Sequence, residues 1–70
     1  MENFKISREF DWVLKVLGSC VNVSQVESSQ NLMSNFLNKW KNELDEEQKD
    51  SYQHTFTEHK LAQLLIIRKL

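Results

Sequence analysis

Proline is absent from these 70 residues, and Gly18 is the only glycine. Architectures rich in tight turns draw heavily on both, so the shortage disfavours β folds and favours helices joined by short connections. It also removes the glycine loops that cradle phosphates and the glycine elbow that presents a nucleophilic serine. Cys20 is the only cysteine, so no internal disulfide can form and no cysteine cluster can hold a metal. The longest apolar run is the LLII of Leu64–Ile67, far short of the roughly 20 residues of a membrane span. Neither sign of charge dominates. Nine Lys and Arg stand against ten Asp and Glu, a net charge of −1, which offers no overall field for nucleic acid or an anionic membrane. The opening MENFKISREF alternates polar and apolar residues and lacks the apolar run of a secretory signal. A soluble, cytoplasmic protein is the expectation, and a lone thiol is compatible with a reducing compartment.

Seventy residues suffice for one domain, expected over 1–70. A chain of this size buries only roughly 60% of the surface its unfolded state exposes, and small domains usually add disulfides, a metal or a partner chain. With cysteine chemistry closed, association is the expected source of extra stability.

The chain reads as an all-α, small antiparallel three-helix bundle with helices over about 8–18, 25–43 and 46–68, completed by oligomerisation. In the first helix Ser7 is the expected N-cap, Phe10, Val13, Leu14 and Leu17 form one stripe, and Gly18 suits a left-handed C-terminus. SQVE at Ser24–Glu27 matches a capping box for the second helix. Its apolar side runs through Val26, Ser29, Met33, Phe36, Leu37, Trp40 and Leu44. Asp45 is the expected cap of the third helix, with acidic residues in its first turn where the dipole favours them. Tyr52, Phe56, His59, Ala62, Ile66 and Leu70 form its expected core stripe. FKIS and LLIIRK are short enough to be read as strands as well.

Two apolar sets are left over. Leu61, Leu64 and Leu65 point roughly opposite the expected core stripe of the third helix, and Trp12 with Val16 lies away from Phe10, Leu14 and Leu17. Single exposed apolar residues are ordinary, and the third helix could rotate to bury its leucines. The sharper expectation is that Trp12, Val16, Leu61, Leu64 and Leu65 form partner-binding surface, because contiguous apolar patches on a small protein invite aggregation unless used. Symmetric self-association uses such a patch twice.

Chemistry finds little support. His54 and Glu58 sit four apart, but His59 points about 140° away on a helix, so two ligands stand alone and H-E-x-x-H is missing. His54 is expected to be solvated beside Glu58, and His59 to border the core. Cys20, between two valines and the end of an apolar stripe, reads as a small buried hydrophobe. The acidic group Glu43, Asp45, Glu46, Glu47 and Asp50 is accounted for by a helix start and lacks calcium-loop spacing. No catalytic residue, cofactor or metal is expected. The expected function is a small non-catalytic interaction or regulatory module that self-associates as a homodimer or docks on a larger protein. The alternative is a small nucleic-acid binder using Lys39, Lys41, Asn35, Asn38 and Asn42 on the second helix.

Overall fold

The computed structural model describes residues 2–69, with the side chains of Glu2 and Asn3 outside that description. Three helices follow in order: α1 (Glu2–Gly18), α2 (Val23–Lys39) and α3 (Glu46–Arg68). No strand occurs among the described residues, so FKIS and the LLIIR segment are both helical. Each helix packs on the other two.

Contacts at the ends fix the directions. Glu9, midway along α1, meets Lys39 at the end of α2 at 3.0 Å, and only residues 19–22 join the end of α1 to the start of α2, so these two run antiparallel. Lys60 of α3 donates to Gln30 of α2 at 3.1 Å, and Gln63 donates to the Cys20 carbonyl at 2.7 Å. α3 is therefore antiparallel to α2 and parallel to α1, an up-down-up bundle.

The core lies between the three buried stripes. Ile6, Phe10, Val13 and Leu17 come from α1, Val26, Met33 and Phe36 from α2, and Phe56 from α3. Phe10, Phe36 and Tyr52 form an aromatic triangle with ring centroids 4.7–5.5 Å apart, tilted or edge-on. That geometry suits ring quadrupoles better than face-to-face stacking, and it joins all three helices at one level.

Several boundaries differ from the expected ones. α1 begins at Glu2 rather than beyond Ser7, because Ile6 continues the buried stripe one turn earlier and is 1% exposed. Ser7 is an exposed residue within the helix. Gly18 ends α1 without a positive φ; the chain leaves through bonds from Ser19 N–H to the Lys15 and Val16 carbonyls and from Cys20 N–H to that of Leu17. The cap of α2 is Asn22, not Ser24. Asn22 is extended and accepts from Gln25 N–H at 2.8 Å, while the Gln25 side chain accepts from Val21 N–H at 2.7 Å. α2 stops at Lys39, four residues early, because Glu43 and Leu44 both donate to the Trp40 carbonyl and turn the chain toward α3. Leu44 is buried by that turn. The α3 cap is the expected one, a reciprocal box of Asp45 and Gln48 followed by Glu46 and Glu47.

The core stripe of α3 is also rotated. Tyr52 and Phe56 face inward as expected, but His59, Ala62 and Ile66 are exposed. The inward side continues instead through the half-buried Lys60, Gln63, Leu64 and Ile67. Leu70 of the expected stripe lies outside the described residues.

Candidate functional site

Rotation of α3 divides the terminal leucines. Leu64 packs against the core, while Leu61 and Leu65, about 60° and 100° round the helix from it on the same side, remain 57% and 56% exposed. Opposite them stands Val23, the first residue of α2, held just past the Asn22 cap and 51% exposed. Val23, Leu61, Leu64, Leu65 and Arg68 line a groove of about 470 Å³ between α2 and α3. Leu64 supplies its floor, Val23, Leu61 and Leu65 its walls, and Arg68 one charged lip. The walls carry only hydrocarbon, so the groove can exclude water from another apolar surface but offers no acid, base or nucleophile.

The second expected patch lies elsewhere. Val16 is half-buried in the α1–α2 groove, which it lines with Cys20, Leu32 and the hydroxyls of Ser24, Ser28 and Ser29. Trp12 is 53% exposed and borders a shallow depression with Arg8, Asp11 and Lys15. The structure thus brings Leu61, Leu64 and Leu65 together and leaves Trp12 and Val16 in two separate places, neither of which shares a residue with the leucine groove.

The other singled-out residues have ordinary surroundings. His54 Nε2 lies 3.5 Å from Glu58 on an exposed face. His59 is exposed rather than at the core border, because α3 turns that side outward. Among the described residues no group of three or more His, Cys, Asp or Glu could hold a metal ion. Cys20 is buried and its thiol donates to the Val16 carbonyl at 3.3 Å. Lys39 pairs with Glu9 and also lies 5.2 Å from the Trp40 ring centroid. No helix among the described residues is long and apolar enough to cross a membrane.

Sequence reasoning missed Val23, Arg68 and the cluster around Glu9. Arg68 was findable, since it sits three residues from Leu65 and seven from Leu61 on one face. Val23 was hidden by placing the cap two residues late. Glu9 carries no local signal at all: its carboxylate accepts from both Lys39 and the Trp40 indole N–H, about thirty positions away. Partial burial pushes the Glu9 carboxyl up, but the bonds from Trp40 and Lys39 and the nearby ammonium charge outweigh it and hold it below the ordinary carboxylate range.

Comparison with protein-family models, with curated proteins and with solved structures finds no match.

Proposed function

We propose that this chain is a non-catalytic interaction module that uses the α2–α3 groove to hold an apolar surface of another protein chain. The observation that carries the reading is the placement of Val23, Leu61 and Leu65, each more than half exposed around the floor made by Leu64. Trp12 contributes a separate contact of the aromatic kind that often anchors interfaces. Val16 serves mainly the packing of α1 on α2.

Magnitudes limit the strength of such binding. Covering the exposed half of a leucine is worth roughly 0.8–1.7 kcal/mol, so the three groove walls supply about 2–5 kcal/mol. A matching surface on the partner doubles that. Association costs an estimated 4–15 kcal/mol in lost freedom and ordering. The groove therefore suits weak, reversible association.

The test is Leu61→Glu with Leu65→Glu, studied at low protein concentration. Helical content and melting midpoint are expected to stay near those of the wild type, while uptake of an apolar fluorescent dye falls. If the double variant unfolds, those leucines belong to the core and the reading fails.

A further inference from the structure

Glu58, Leu61, Leu65 and Arg68 follow one another on α3 at intervals of three, four and three residues. At 100° per residue they fall within an arc of about 80°, along about 15 Å of helix. The pattern is symmetric about the level of residue 63 in spacing and opposite in charge at its two ends. Glu58 is well exposed, with a side-chain relative exposure of 66%, and Arg68 is exposed at the lip of the leucine groove.

We infer that the occupant of the groove is a second copy of this chain, docked α3 against α3 in antiparallel fashion about a two-fold axis at the level of residue 63. This rests on the interaction reading above. In that arrangement Leu61 of each copy faces Leu65 of the other, and both sets of leucines are covered beside the Val23 walls. Glu58 of each copy then faces Arg68 of the other, so the interface carries two ion pairs at its rim. A parallel pairing would set Glu58 against Glu58 and Arg68 against Arg68. Like charges directly across an interface are strongly unfavourable, so charge selects the antiparallel form. The isologous geometry also closes, leaving no free copy of the patch to propagate a filament.

Sedimentation of the full chain over a concentration range tests this. The wild type is expected to form dimers with a dissociation constant of about tens to hundreds of micromolar, as a contact of this size allows. Glu58→Arg alone and Arg68→Glu alone should each weaken self-association at least about tenfold, with helical content unchanged. An equimolar mixture of these two variants should restore a dimer, because every rim contact then pairs opposite charges. Glu58→Arg combined with Arg68→Glu in one chain should restore it as well. A wild type that stays monomeric up to about 1 mM overturns the dimer, as does a mixture that associates no better than its components. A monomer whose apolar dye uptake still depends on Leu61 and Leu65 overturns the second copy as occupant while leaving the groove itself as a binding surface. Unfolding of the double-leucine variant removes both.

Discussion

At Glu9 one carboxylate gathers the Lys39 ammonium and the Trp40 indole, tying the middle of α1 to the end of α2. Lys39 is more than half exposed, so water screens much of the attraction, and Glu9→Gln is expected to cost only about 0.5–1 kcal/mol at neutral pH. The folded carboxyl titrates below its unfolded counterpart. Its contribution is therefore complete above the unfolded range and is lost as pH falls through the folded value. Denaturation midpoints of wild type and Glu9→Gln should converge as pH falls below the ordinary carboxylate range; a gap that persists in acid would assign the effect to packing. Phe56 represents the opposite extreme. It has no exposed surface and sits between the other two helices' stripes, so Phe56→Ala should cost about 3–5 kcal/mol. A domain of this length has only about 4–10 kcal/mol in total. Calorimetry should find that variant largely unfolded or melting far below the wild type. Phe56 was legible from its position on a repeating apolar stripe, whereas Glu9 was not, because nothing near it in sequence names its partners.

Element ends are decided by caps, and two candidate caps compete at α2. Asn22 accepts from Gln25 N–H, whereas the Ser24 side chain stands exposed inside the helix. Asn22→Ala should therefore lower stability by about 1 kcal/mol and Ser24→Ala by only a few tenths. Equal losses in thermal melts would contradict the cap seen here. SQVE carried a capping-box spacing, yet the helix starts earlier because the Asn22 and Gln25 side chains accept from the Gln25 and Val21 N–H groups and bring Val23 into the first turn. The rotation of α3 has a similar origin. Both Ile66 and Ile67 fit a helical repeat from Phe56, so periodicity alone leaves the face open. Packing chooses Leu64 and Ile67, because α3 must reach Gln30 of α2 through Lys60 and the end of α1 through Gln63.

The whole molecule is a rod of 39 × 18 × 17 Å, about one long helix in length and two helices across. Three stripes close around a single column of core side chains, and apolar residues beyond that column have no third layer to enter. Leu61 and Leu65 are the consequence. In the proposed dimer the second copy stabilises only the folded form, so the melting temperature of the wild type should rise by a few degrees between dilute and concentrated samples. The Leu61→Glu, Leu65→Glu variant should lose that dependence. The nucleic-acid alternative concerns the polar side of α2, with Lys39 and Lys41, and two observations weigh against it. The net charge is −1 and Lys39 is engaged by Glu9. Titration of a short duplex at low salt is expected to show no salt-sensitive binding.

Composition and periodicity by themselves determined a helical protein, three helices, the α3 cap at Asp45 and a surplus of leucines near the end. Each of those is local, set by residues within a turn or two of one another. The tertiary structure alone decided which leucine enters the core, where Val23 stands opposite the others, and that Trp12 and Val16 lie apart from each other. A helix's angle about its own axis is fixed by its neighbours, and those neighbours lie tens of residues away along the chain.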